Sequence, residues 1–191
     1  MNFFKKLFGS SVSPSEEEQK EAEGKEFDVL KYDGMRAFKT GETAFAIECF
    51  RHALRLQEDL EVRDYLSQAL IQSNELLKAY DELQKLADAE PDNIQIVIRM
   101  AHVAYMMENY TVMGDACERG KLLDKDNVDI NYLYARACLG MGDLVNTIAM
   151  LTKTISLDED YVSAYQLRGE TLLKMGDVEG ANADVAWLLN H

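Results

Sequence analysis

Histidine and cysteine side chains supply most metal sites and many nucleophiles in proteins, and this sequence has three of each. The cysteines stand far apart, are odd in number and form no CxxC pair, which argues against a disulfide framework and against a zinc site. The histidines are too widely spaced in the sequence to form a metal-binding set. These six residues are Cys49, Cys117, Cys138, His52, His102 and His191. We therefore expect no metal site.

Other catalytic motifs are also missing from the sequence. There is no GxSxG nucleophile elbow, no Gly-rich phosphate-binding loop and no HExxH motif. Cys117 and Cys138 occupy apolar positions of helical patterns, so we interpret them as inert buried thiols. The sequence therefore predicts a protein that is not an enzyme, with no catalytic residues and no cofactor.

Composition narrows the classes of partner. The chain has 191 residues, a net charge of -14 and 47% hydrophobic residues, which is typical of a globular protein with a real core. No Lys/Arg cluster interrupts the acidity, so we expect no nucleic-acid binding. No stretch is apolar enough to span a bilayer, and the start of the chain lacks the pattern of a signal peptide. We expect a cytoplasmic protein, with a peripheral position at the inner face of a membrane as the alternative.

The elements that position these residues follow from the turn signals. In YQLRGETLLKMGDVEGANADVAWLL, residues 165–189, Gly176 and Asp177 separate two runs with helical apolar periodicity. Glycine can provide the left-handed cap that ends one helix, and aspartate can accept the free amide hydrogens that begin the next. Equivalent turn signals occur at Gly41, Asn74 and the Gly142-Asp143 pair. The sequence therefore predicts helix-turn-helix hairpins.

These hairpins recur with a period of 33 to 34 residues. Five repeats are predicted, at residues 27–59, 60–93, 94–127, 128–161 and 162–191. Residues 1–26 are expected to form a flexible acidic tail. Within this tail, a capping box from Ser15 to Glu18 permits a short helix. Small residues are expected where the two helices of a hairpin touch: Gly34, Ala46, Ala79, Ala101, Ala135, Gly169 and Ala181. Larger residues four positions after the second small site are expected to fill the core: Phe50, Leu83, Leu151 and Val185.

This pattern resembles the tetratricopeptide repeat (TPR), which carries small, Gly, Ala, large apolar and Pro residues at the eighth, fifteenth, twentieth, twenty-fourth and thirty-second positions. The fifth repeat matches with Gly169, Gly176, Ala181 and Val185, whereas Pro91 is the one proline that the repeats retain at its place. The resemblance implies an all-α fold, a right-handed α-solenoid of about five TPR hairpins.

The resemblance also implies a concave groove lined by the first helix of each repeat. It places nine candidate peptide-binding residues there: Lys31, Gln68, Ile98, His102, Tyr105, Tyr132, Arg136, Gln166 and Glu170. We favour His102, Tyr105, Tyr132 and Arg136, because aromatic and arginine side chains dominate peptide recognition. Two alternatives stay open: the tyrosines pack between repeats, and Arg136 is a simple solvated charge or pairs with Asp129 instead of anchoring a carboxylate.

Some TPR relatives clamp the C-terminal carboxylate of a peptide. Lys31 and Arg99 hold two places of that clamp, but Met35, Tyr65 and Gln95 replace other members of it. We therefore do not expect this clamp here.

The two ends of the chain carry further hypotheses. Phe3, Phe4, Leu7 and Phe8 would form one helical stripe opposite Lys5 and Lys6, which suits weak membrane-surface contact, docking on a protein, or a disordered start. At the other end, the WLLNH stretch lacks a polar cap, so apolar surface around Trp187 is available for self-association unless Trp187 packs within its own hairpin.

From these features, the sequence predicts a non-enzymatic adaptor that binds a peptide or protein segment in the concave TPR groove. The alternative is a membrane-peripheral assembly factor or a holding chaperone, located through the N-terminal FFKKLF segment.

Overall fold

A computed structural model describes residues 15–191 of the chain. The six N-terminal candidate residues, from Phe3 to Phe8, lie outside the described residues. Residues 15–191 contain no strand and fold into ten helices in a repeat arrangement, which confirms the all-α fold. The helices are α1 (Glu16–Thr40), α2 (Thr43–Leu56), α3 (Leu60–Gln72), α4 (Leu76–Ala89), α5 (Ile94–Met106), α6 (Tyr110–Leu123), α7 (Val128–Gly140), α8 (Leu144–Leu157), α9 (Val162–Met175) and α10 (Val178–Asn190).

The structure divides into two compact units, one ending at Tyr65 and the other spanning Leu66–His191. In the first unit, α1 packs on α2. In the second, α5 packs on α6, α7 on α8 and α9 on α10, while α4–α5, α6–α7 and α8–α9 contacts join successive hairpins. No helix within residues 15–191 is long and apolar enough to cross a membrane.

The start of α1 differs from the sequence analysis. Residues 16–26 were expected to be a flexible linker, apart from a short helix, but they form one continuous helix with the rest of α1. The Ser15 hydroxyl accepts a hydrogen bond from the Glu18 amide, 3.2 Å, and the Glu18 carboxylate accepts one from the Ser15 amide, 2.8 Å. This capping box satisfies the first amides of the helix, and a Lys25–Glu21 ion pair one turn apart adds to it.

The turns between hairpin helices have the predicted chemistry. Gly41, Gly142 and Gly176 have φ values of 83°, 80° and 85°, and Asn74 takes the same left-handed conformation with φ 59°. Asp143 Oδ1 accepts a hydrogen bond from the Asn146 amide, 3.1 Å, and Asp177 Oδ1 accepts one from the Gly180 amide, 2.9 Å. The predicted caps are therefore confirmed. In the MENYTV turn, Glu108 has φ 54°, which the sequence analysis did not anticipate.

In the unit that ends at Tyr65, the predicted close approach of α1 and α2 is present. A Cβ atom added to Gly34 would lie 2.6 Å from a ring carbon of Phe50. Phe50 is fully buried and stacks on Tyr65 with ring centroids 5.7 Å apart. Since the ring of Phe50 is held on its far side, Gly34 provides the space in which the two helices meet.

The core of the second unit contains the predicted small residues Ala79, Ala101, Ala135 and Ala181, each at most 1% exposed. Three of the four predicted core fillers are also fully buried: Phe50 in the first unit, and Leu83 and Leu151 in the second.

The prediction that Val185 fills the core is wrong, because this side chain is 46% exposed. Leu151 on α8 is covered by Ala164 and Tyr165 of α9, whereas no helix within residues 15–191 covers the same side of α10. The neighbouring residue Asp184 is buried instead, and Arg168 of α9 donates hydrogen bonds to it of 2.9 Å and 2.5 Å. An ion pair is therefore buried between α9 and α10.

The three cysteines are buried, which confirms the prediction for Cys117 and Cys138 and adds Cys49. Burial raises the pKa of Cys117 to about 12, and it also raises the pKa values of Cys49 and Cys138. At neutral pH the thiols are protonated, so they act as small apolar side chains.

Candidate functional site

Two packed helices bring the four favoured residues together. His102 and Tyr105 lie three residues apart on α5, and Tyr132 and Arg136 lie four residues apart on α7. Both spacings place side chains on one helix face. Since α5 and α7 contact each other directly, the two pairs form one patch in the second compact unit.

Arg136 lies at the centre of this patch. Its guanidinium carbon lies 3.7 Å from the ring centroid of Tyr105 and 5.8 Å from that of Tyr132. Tyrosine rings attract a cation through the negative charge of their faces. The two rings therefore hold the long Arg136 side chain in place and limit its conformational freedom.

Tyr161 is a member of this patch that the sequence analysis missed. It immediately precedes α9, and its ring centroid lies 4.9 Å from that of Tyr132. We use the name tyrosine–arginine cluster for Tyr105, Tyr132, Arg136 and Tyr161. Burial raises the pKa of Tyr161 to about 12, with further contributions from Asp129 and Tyr132, so its hydroxyl is neutral at physiological pH. Tyr161 stands at the end of the fourth repeat, outside the first-helix positions from which the groove was predicted.

The predicted alternative for Arg136, an ion pair with Asp129, is wrong. Within residues 15–191, Arg136 makes no ion pair and no hydrogen bond, and its contacts are the two tyrosine rings. Asp129 is exposed and likewise makes no ion pair or hydrogen bond in the described part of the chain. Arg136 and Asp129 therefore place two opposite charges in the patch that are not joined to each other.

His102 responds to both of these charges. The pKa of His102 is lowered from 6.5, mainly because partial burial of the imidazole disfavours its charged form. The nearby charge of Arg136 lowers the pKa further, and Asp129 partly offsets the two effects. His102 is therefore neutral at pH 7. It supplies one hydrogen-bond donor and one acceptor beside the cluster.

The remaining predicted groove residues occupy other environments. Ile98 is only 7% exposed and belongs to the core, and Gln68 is half-buried on α3. Gln166 and Glu170 are exposed on α9, where they line an open pocket of about 200 Å³ between α9 and α10. They do not join the tyrosine–arginine cluster through any contact described in residues 15–191.

Lys31 lies in the first compact unit and is already held by carboxylates. Its ammonium group lies 3.1 Å from Asp59 and 2.7 Å from Glu61, and only 16% of its side chain is exposed. The hydrogen bond to Glu61 is the main reason why the pKa of Lys31 is raised. Burial alone would raise the pKa of Asp59, but hydrogen bonds from the Val62 amide and from Lys31 outweigh it and lower that pKa. We therefore leave Lys31 out of the candidate site.

Trp187 packs within its own hairpin, which was the second of the two interpretations of the WLLNH end. Its ring stacks on Tyr165 of α9, with centroids 3.7 Å apart, and His191 stacks on it at 4.2 Å. Leu189 is the most exposed apolar residue of this end, at 82%. Within residues 15–191, no group of three or more His, Cys, Asp and Glu residues is arranged to hold a metal ion.

Comparisons with known proteins show a structural similarity of the fold. No protein-family model and no curated protein matches the chain. A crystal structure of MamA protein is 19% identical with a TM-score of 0.78, covering 87% of this chain and 92% of that one. The structure of MamA 41-end from Desulfovibrio magneticus RS-1 is 17% identical with a TM-score of 0.77, covering 86% and 94%. The structure of MamA MSR-1 C2 is 15% identical, with a TM-score of 0.64 and coverage of 84% and 97%. The chain therefore shares the helical fold of these structures.

Proposed function

We propose that this chain is a non-enzymatic scaffold of the TPR type that binds a segment of another protein over the faces of α5, α7 and the start of α9. The observation that carries the proposal is the tyrosine–arginine cluster, in which Arg136 is held by two rings and makes no ion pair within residues 15–191. The motif residues of the repeats and the helical-repeat fold support the TPR assignment.

The composition of the cluster suits a binding surface. Tyrosine and arginine are enriched at the centres of protein interfaces, because they offer large contact area together with hydrogen-bonding groups. Tyr105 is 36% exposed, so one side of its ring packs on Arg136 and the rest stays available to a partner. The rings are also fixed by neighbours, Tyr105 by Tyr110 at 6.3 Å and Tyr132 by Tyr161 at 4.9 Å, which reduces the entropy lost on binding.

The first prediction tests this surface with the full chain. The triple variant Tyr105→Ala, Tyr132→Ala, Arg136→Glu removes both rings and reverses the charge. We expect the amount of partner captured from native lysate to fall about thirtyfold or more, since each interface anchor contributes about 2 kcal/mol or more to binding. Capture is quantified by mass spectrometry after chemical crosslinking, so that weak partners are retained.

A matched control exists at another contact between α6 and α7. Lys121 lies over the ring of Tyr134, 4.5 Å from its centroid, and Tyr134 donates a hydrogen bond to Glu118. The variant Lys121→Gln, Tyr134→Ala therefore removes a similar cation–ring pair outside the tyrosine–arginine cluster. It should capture the same partners as the native chain. If the triple variant retains all partners, or if both variants lose the same ones, the proposed site is wrong.

A further inference from the structure

We propose that the tyrosine–arginine cluster and Asp129 together recognise a protein segment carrying an acidic and a basic side chain about 10 Å apart, the acidic one bound by Arg136 and the basic one by Asp129. This inference rests on the proposed function and adds the chemistry of the partner. Its basis is that the two opposite charges of the patch stand on one helix face without neutralising each other.

The separation of the two charges follows from the helix. Asp129 and Arg136 are seven residues apart on α7, which is about two turns, so their side chains leave the same helix face from backbone positions about 10 Å apart along the axis. Within residues 15–191, no ion pair forms between them. Both groups also lie near enough to His102 to act on its pKa, which Arg136 lowers and Asp129 raises.

Arg136 is prepared for a carboxylate. The rings of Tyr105 and Tyr132 occupy its surroundings, but neither ring contact consumes an N–H group in a hydrogen bond to a protein acceptor within residues 15–191. None of its nitrogens is buried without a partner, so the N–H groups remain accessible to solvent. A guanidinium fixed in this way can donate two parallel hydrogen bonds to an incoming carboxylate with little further loss of side-chain entropy.

The charge pattern favours a segment that carries both charges over a chain terminus alone. A terminal carboxylate by itself would satisfy Arg136 and leave Asp129 unmatched, whereas a segment with an acidic and a basic side chain can match both charges at once. In a polyproline II segment, side chains three residues apart lie on one face and are separated by about 9 Å, and in an α-helix, side chains seven residues apart are separated by about 10 Å. Either spacing fits the distance between Asp129 and Arg136.

The inference can be tested by reversing the charge pattern. The full chain is screened against a synthetic peptide library in which one acidic and one basic residue are placed at varied separations, with free and with amidated C-termini. The native chain should select peptides with these residues at the spacings above, regardless of the C-terminal group. The double variant Asp129→Lys, Arg136→Glu should select the same spacings with acid and base exchanged.

A charge exchange of equal size on α6 provides the control. The variant Glu118→Lys, Lys121→Glu keeps the net charge and lies outside the patch, so it should select the same peptides as the native chain. Circular dichroism establishes that each variant is folded. If the double variant does not fold, Arg136→Gln serves instead, with an expected loss of about tenfold for the acidic peptide and little change for its Gln analogue.

Each result decides between the two proposals. Inversion of the selected pattern supports the inference. Binding that ignores the order of the charges, or that requires a free C-terminal carboxylate, overturns the inference and leaves the proposed function intact. If no peptide in the library binds the native chain, both the inference and the proposed peptide-binding function fail.

Discussion

Among single residues, His102 reports directly on the charges of the candidate site. Its pKa lies below 6.5, first because surrounding atoms disfavour the imidazolium and second because Arg136 repels it, while Asp129 favours it. We expect Arg136→Gln to raise the pKa of His102, although not above 6.5, because the larger effect of desolvation remains. Asp129→Asn should lower it further. NMR titration of the His102 ring protons measures both shifts, and a pKa that moves in neither variant would contradict the geometry described for the patch.

The sign of the corresponding stability change follows from the same pKa. Because the pKa of His102 is lower in the folded chain than the unfolded value of 6.5, the unfolded state binds more protons below neutrality. The contribution of neutral His102 to stability is therefore complete above pH 6.5 and is lost as the pH falls through the folded pKa.

The Arg168–Asp184 pair gives a second prediction for single residues. Asp184 is 3% exposed and accepts two hydrogen bonds from Arg168, which also donates one of 3.2 Å to Thr152. Asp184→Ala would leave the Arg168 charge without its carboxylate, and we expect a loss of about 3–5 kcal/mol in the free energy of unfolding. Urea denaturation measures the loss. The double variant Arg168→Met, Asp184→Leu should recover most of it, and a double variant as unstable as Asp184→Ala would show that the ion pair is not the cause.

The tyrosine–arginine cluster was largely predicted from the sequence, whereas the Arg168–Asp184 pair was not. His102, Tyr105, Tyr132 and Arg136 were found because repeat positions place them on the first helices, where a resemblance assigns a groove. Tyr161 and Asp184 were missed, since neither occupies a position that the repeat pattern marks. Their roles depend on contacts across helices, with Tyr132 and Arg168, and no local spacing in the sequence reports such contacts.

At the level of helices, two glycines at equivalent repeat positions should respond oppositely to the same change. An added Cβ at Gly34 meets the ring of Phe50 at 2.6 Å, whereas at Gly169 the nearest atom is Asp184 Cβ at 3.5 Å, an ordinary contact. We expect Gly34→Ala to cost about 1–3 kcal/mol through overpacking. Gly169→Ala should instead stabilise the chain by up to about 1 kcal/mol, because alanine favours helix more than glycine does.

Urea unfolding of the two glycine variants, measured by circular dichroism, separates these effects. Phe50 is buried and stacked on Tyr65, so it has little room to move away from a methyl group at position 34. If both variants lose stability equally, then the helices approach each other as closely in the α9–α10 hairpin as in α1 and α2. The sequence suggested the same role for both glycines, because a small residue at a repeat position does not reveal how closely the partner helix approaches.

The turns within the hairpins were predicted better than the start of α1. Glycine and aspartate at the turns act through their own backbone preferences and short side chains, so Gly176 and Asp177 can be read locally. The extension of α1 back to Glu16 was underestimated, because a stretch rich in Glu and Lys fits both a linker and an exposed helix. The capping box at Ser15 and continuity with the packed part of α1 favour the helix.

For the whole molecule, repeat architecture predicts that unfolding does not occur in one step. Stability in a repeat protein is approximately a sum over hairpins and their neighbour contacts, so a hairpin with fewer covering contacts unfolds at a lower denaturant concentration. α10 packs chiefly on α9, and Val185 and Leu189 remain 46% and 82% exposed. The α9–α10 hairpin should therefore unfold before the rest of the second unit.

The sequence contains a single tryptophan, Trp187, which stacks on Tyr165 inside this hairpin and therefore reports on it. We expect its fluorescence transition in urea to have a lower midpoint than the loss of helical signal in far-UV circular dichroism. A second reporter, Tyr80→Trp on α4 in a Trp187→Phe background, should have a higher midpoint than Trp187 has in the native chain. Coincident midpoints for the two tryptophans would mean that the second unit unfolds cooperatively. In that case the exposed side of α10 lowers the stability of the α9–α10 hairpin less than its contacts with neighbouring helices imply.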